Sequence, residues 1–171
     1  IEKNDLEKAI CRHATSKLNS MNLEDITTMG FRGEALSSIA SVSDFTLRSN
    51  SDSNSDGYEI NCVAGDVKKV KPVNQKRGTH VSVKNLFFST PARLKFLKSE
   101  NYESLLIKRL IQKFALINFE IQFNLFIDRK KIIGTGLIKN YQKDEKFKIK
   151  DREILGNEFL ENSVELNKKK E

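Results

Sequence analysis

The chain has 171 residues, 38% of them hydrophobic, and a formal net charge of +7, which suits one ordinary domain or one and a fraction with a real apolar core. No apolar run approaches the ~18 residues of a membrane span and no basic-then-apolar leader opens the chain, so neither a membrane anchor nor a secretory signal is read and the cytoplasm is the default. Cys11 and Cys62 stand far apart without a CxxC or a histidine cluster, which gives a zinc site or a disulfide framework no support.

The positive charge points to anionic partners, nucleic acid or nucleotide among them. A composition rich in Lys, Asn and Ile also arises from AT-rich coding, so charge alone leaves the partner open. The chain opens on Ile1 and stops in "NKKKE", and the expectation is a piece of something longer.

In chain order, "NDLEKAICRHATSKL" reads as a first helix, with Asn4 at the cap, Glu7 completing a capping box, and Leu6, Ile10 and Ala14 as its buried stripe. After "LEDITTM" comes "GFRGEALSSI", where Leu36, Ile39 and Ala40 carry helical spacing, so the glycines sit at a helix entry. "DFTLRS" alternates as a strand, and "NSDSNSDG" is a mobile polar loop. "YEINCV" and "DVKKVKPV" form a hairpin turning at Ala64, Gly65 and Asp66. "GTHVSVKNLF" is a further strand leading into "STPARLKFL", with Thr90 as cap and Pro91 at the first helical position. A long helix follows with Leu105, Leu106, Leu110, Ile111 and Phe114 on its apolar face, and "FEIQFNLFI" alternates as a strand. From Lys139 the chain reads as a charged connector, and "ILGNEFLENSVEL" as the opening of another unit.

A Gly-rich entry to a helix is a candidate phosphate cradle, because the first N–H groups of a helix lack internal acceptors and glycine lets an anion approach the backbone. Arg32 adds a charge. Gly30 and Gly33 serve equally well in a tight turn with no ligand, and the spacing is not that of a Walker loop.

The ordered block "CRHATSKL…GFRGEALSSIASVSDFTLRS…RGTHVSVKNLFFSTPARLKFLK" resembles the ATPase region of the MutL family of DNA mismatch repair proteins over about residues 1 to 135. The resemblance implies an α+β fold: a partial Bergerat (GHKL) ATPase sandwich with a mixed sheet. A charged connector over 136–150 and the beginning of a second α/β domain over 151–171 would follow. It implies ATP binding and slow hydrolysis that couple mismatch recognition to repair. Phosphate and lid contacts fall on Thr15, Ser16, Arg32, Gly33, Glu34, Ala35 and Leu36, and adenine-side contacts on Gly78 and Thr79. The implied partners are DNA, a mismatch-recognition protein, downstream repair enzymes, and a second copy in an ATP-driven N-terminal homodimer. The implied location is cytoplasmic, at the nucleoid in a bacterium.

The family's general-base Glu, its Mg²⁺-binding Asn and its adenine-binding Asp lie upstream of Ile1 by this resemblance, so no catalytic or metal residue is assigned and this chain alone is expected to be inactive. His13 has no carboxylate partner identifiable in the sequence and reads as a packing or lid residue; His80, in an alternating strand, reads as structural. Leu94 and Lys98 stand where the family commonly has Arg. Arg93, Lys95 and Lys98 on one short helix, joined by Lys108, Arg109 and Lys113, are candidates for non-specific DNA backbone contacts. The alternative reading is a non-enzymatic, basic nucleic-acid-binding module.

Overall fold

The computed structural model of the chain describes residues 1–17, 28, 30, 32–53, 55–118, 120–136 and 143–164. The expected segment 23–29, apart from Thr28, lies outside these residues, as do the end of the first expected helix at 18 and most of the connector's beginning. The chain divides into two compact units, Ile1–Phe96 and Leu97–Glu171.

The first unit is built on an antiparallel sheet. Strand β1, Asp44–Asn50, pairs with β2, Gly57–Val63, and with β5, Gly78–Lys84. The outer edge of β2 carries the short strands β3, Asp66–Val67, and β4, Lys71–Val73. The β2–β3 turn has positive φ at both Ala64 (49°) and Gly65 (91°), the requirement of the hairpin turn whose twist matches its strands. Every strand pairing among the described residues is antiparallel. The expectation of a mixed sheet therefore narrows to antiparallel ladders among the described residues.

Alternation gives the sheet two unlike faces. On one face Leu47 lies opposite Ile60 and Val81, and Phe45 opposite Cys62 and Val83. Phe45, Leu47, Ile60 and Cys62 are buried there beneath Leu6, Ile10 and Ala40, each large side chain stabilising the fold by roughly 1.5–3 kcal/mol. The other face is polar. Glu59 accepts from Arg48 Nε (2.5 Å), Lys71 Nζ (3.0 Å) and Asn61 Nδ2 (2.9 Å), and Asn61 in turn accepts from Thr46 (2.7 Å). Burial pushes the Glu59 carboxyl up, but the bonds from Lys71, Asn61 and Arg48 outweigh it and hold its pKa at about 2.

The first helix is shorter than its sequence pattern. A 3-10 turn over Lys3–Asp5 leads into α1, Leu6–Ala9, with Asp5 at the N-cap and no side-chain cap, so the Asn4–Glu7 capping box does not form. Leu6 and Ile10 are buried, but Ala14 lies past the helix and is half-buried. His13, with φ 61°, is left-handed, a conformation that no right-handed helix propagates. Helix α2, Ala35–Ala40, starts where the Gly-rich motif places it. Helix α3 is one turn, Pro91–Leu94, with Pro at its start and no cap bond from the Thr90 side chain.

In the second unit, α4 spans Glu100–Ile117 and is capped by Ser99 Oγ, which accepts from Tyr102 N (3.4 Å). Its fully buried residue is Ala115, while Leu105, Leu106 and Leu110 are 42%, 41% and 53% exposed. The expected apolar face is thus only partly covered, because α4 meets the hairpin and α5 on the side that carries Ala115. The strand expected over "FEIQFNLFI" is shorter, β6 at Asn124–Ile127. It pairs with β7, Lys130–Gly134, through a turn at Asp128 and Arg129 with φ 49° and 65°. The stretch expected as a charged connector forms α5, Lys143–Leu155, followed by α6, Asn157–Glu161. Among the described residues no helix is long and apolar enough to cross a membrane.

Candidate functional site

Two strips of the first unit line one cleft of about 1090 Å³. One strip is the chain leaving α1, with His13, Ala14, Thr15, Ser16 and Lys17; the other is the Gly-rich entry to α2, with Gly30, Arg32, Gly33, Glu34, Ala35 and Leu36. All seven residues expected at phosphate and lid positions, Thr15, Ser16, Arg32, Gly33, Glu34, Ala35 and Leu36, line this cleft.

The strips touch at the backbone. Gly33 has φ 67°, and a Cβ there would lie 2.4 Å from the carbonyl oxygen of Ala14, far inside contact distance. Gly30 differs, since among the described residues a Cβ there would meet only Lys17 Nζ, at 4.0 Å. Of the two glycines that could have permitted a tight turn, Gly33 is the one that geometry requires.

The wall is charged on both strips. Lys8, Lys17 and Arg32 line it together with Asp5 and Glu34. Asp5 Oδ1 accepts from Lys8 Nζ at 3.0 Å, and Glu34 Oε1 lies 3.0 Å from His13 Nδ1. His13 therefore has the carboxylate partner that the sequence does not reveal: the two are 21 positions apart and no periodicity links them. Lys17 N donates to Thr15 Oγ1 at 3.2 Å. The carbonyl of Glu34 starts α2, accepting from Ser38 N (2.9 Å) and from Ser37 Oγ (3.0 Å).

Gly78 and Thr79 are not part of the cleft lining. They open the exposed edge strand β5, where Thr79 Oγ1 is 3.1 Å from Ser49 Oγ. His80, on the polar face opposite Arg48, is exposed. The basic candidates also separate. Arg93 is in α3 and Lys95 is its C-cap, but Lys98 lies beyond the helix and in the second unit. The expectation of all three on one helix fails because the helix ends after a single turn; all three are exposed.

No profile of a known protein family matches the chain. Individual proteins do. It is 37% identical over 161 residues to the DNA mismatch repair protein MutL of Rickettsia bellii, covering 93% of this chain and 26% of that protein. It is 41% identical over 172 residues to MutL of Wolbachia sp. subsp. Brugia malayi, covering 100% of this chain and 26% of that protein. The Aquifex aeolicus MutL ATPase domain complexed with ADP superposes with a TM-score of 0.69 at 30% identity, covering 91% of this chain and 52% of that one. This chain belongs to the MutL family. It spans about a quarter of the length of the curated MutL relatives it matches. Its α+β architecture, helices on one face of an antiparallel sheet, is a partial GHKL ATPase fold of the MutL type.

Proposed function

We propose that the cleft takes the phosphate groups of ATP and that the chain forms part of a MutL-type ATP switch in DNA mismatch repair. The observation that carries the reading is the meeting of residues 13–17 with 30, 32–36 and 38 on one cleft, with Gly33 against the Ala14 backbone. Lys17 and Arg32 would offset phosphate charge, and the hydroxyls of Thr15 and Ser16 offer donors. The first N–H groups of α2, at Ala35 and Leu36, have no acceptor within the helix and lie on the same wall. These groups fit a polyphosphate. Bound ATP would supply the differential affinity that shifts an open wall to a closed one.

Gly78 and Thr79 are assigned the adenine side. No Mg²⁺ ligand is assigned among the described residues. The carboxylates described in the cleft lining, Asp5 and Glu34, are each paired, with Lys8 and His13. Neither is poised as a general base, and turnover by this chain alone is negligible in this reading. Coupling of slow hydrolysis to mismatch recognition, ATP-driven dimerisation, and weak backbone contacts from Arg93, Lys95 and Lys98 to DNA complete the proposal. So do a cytoplasmic location and the division into 1–135, 136–150 and 151–171.

Calorimetry with tripolyphosphate, the phosphate part of the ligand alone, tests it. Binding to the chain that weakens about tenfold in Arg32→Ala is expected, as for loss of one charge-assisted contact. Binding of duplex DNA with no uptake of tripolyphosphate would instead favour the basic nucleic-acid-binding module.

A further inference from the structure

We propose that His13 and Glu34 are a positioning pair that sets how the two strips of the cleft wall meet. Its purpose rests on the lid reading above; its test does not. Nδ1 of His13 is 3.0 Å from Oε1 of Glu34, and this contact joins side chains across the line where Gly33 meets Ala14. Both strips are shaped to bring it about. Gly33 (φ 67°) is left-handed on one side of the contact and His13 (φ 61°) on the other, and a residue with a Cβ persists in that conformation only where its surroundings hold it.

Glu34 stands at the N-cap of α2 but makes no side-chain cap bond. Its carbonyl starts the helix and its carboxylate is given to the imidazole. The other charged groups on the wall are Lys8, held by Asp5, with Lys17 and Arg32. The pair is solvated, its side chains 78% and 49% exposed, so its effect on local opening is small, roughly two- to fivefold. A contact of that size suits a wall that must part and close again, since moving elements are drawn from the low-stability end of a fold.

Amide hydrogen exchange of the chain without nucleotide decides the matter. His13→Ala and Glu34→Ala should each speed exchange at 13–17 and 32–36 about two- to fivefold, and the double variant should do no more than either single. Glu34→Gln, which keeps the length of the side chain but removes its charge, should loosen the wall no more than Glu34→Ala does. His13→Gly tolerates the left-handed backbone without a Cβ but loses the imidazole, and should loosen the wall as His13→Ala does. Additive singles, or His13→Gly as protected as the parent, would overturn the proposal by making backbone shape sufficient. Loosening that spreads into β1 and β2 would also overturn it, because the pair would then support the whole unit. If ATP fails to slow these amides in the parent, the lid reading falls, while the role of the pair in the wall without nucleotide stands or falls on the variants alone.

Discussion

At Gly33 the backbone turns left-handed against the Ala14 carbonyl, and two separate costs attend any side chain placed there. The left-handed conformation alone costs about 1–2 kcal/mol for a residue with a Cβ, and the 2.4 Å approach to Ala14 O forces the 13–17 strip to move. Gly33→Ala should therefore lower the melting temperature and loosen the cleft, whereas Gly30→Ala, which among the described residues meets only Lys17 Nζ at 4.0 Å, should do neither. Equal melting of the two variants would contradict this. Gly33 thus acts through packing of the protein on itself. Glu59 makes a second prediction. Its carboxyl falls from 4.5 to about 2 in the fold, so its stabilisation is complete above pH ~4.5 and is lost as pH falls toward ~2, about 3 kcal/mol in all. Acid titration of stability should be flatter over that window in Glu59→Gln than in the parent. The Gly-rich turn is legible in the sequence because glycines and a helical period are local signals. The His13–Glu34 contact and the Glu59 cluster are not, because they join residues that only the folded chain brings together.

Elements whose faces alternate cleanly are legible in the sequence. β1, β2 and β5 fall where period-two patterns and turn residues put them. The departures have local causes. Apolar spacing extends the first helix through Ala14, but the helix stops at Ala9, and the left-handed His13 beyond it keeps it from resuming. Strand β7 escapes a sequence reading because Asp128-Arg129 lacks the glycine that usually marks a two-residue hairpin turn. The stretch expected as a connector is so charged that its helical period is faint, yet α5 forms and buries Lys150 completely. Lys150 Nζ donates to Gly136 O (2.9 Å) and Ile121 O (3.2 Å), while Glu153 accepts from Gly136 N (3.1 Å to Oε2). Burial lowers the Lys150 pKa, and Glu153 opposes that only in part. Helix α5 thus grips both polar groups of Gly136. Lys150→Met should leave two carbonyls without their donor and lower stability by roughly 1–3 kcal/mol, seen as an earlier denaturant midpoint. An unchanged midpoint would show that the grip contributes nothing.

For the molecule as a whole, the resemblance carried by ordered motifs and the fold agree: the chain is a MutL-family sequence with a partial GHKL ATPase architecture. Sequence motifs group the residues expected at phosphate and lid positions, and those residues line one cleft. They do not reveal the division between Phe96 and Leu97, because the boundary falls within the motif-bearing block and no glycine-, serine- or proline-rich linker marks it. That division also parts Lys98 from Arg93 and Lys95, which a helical pattern alone joins. The central claim is that the two strips lining the cleft form a wall that closes on the phosphates of ATP. Amide hydrogen exchange of the chain with and without millimolar ATP tests it most directly. The account predicts that exchange slows at 13–17 and 32–36 with ATP, that tripolyphosphate does the same more weakly, and that amides of the β6–β7 hairpin are unaffected. Equal exchange at 13–17 and 32–36 with and without ATP would contradict it.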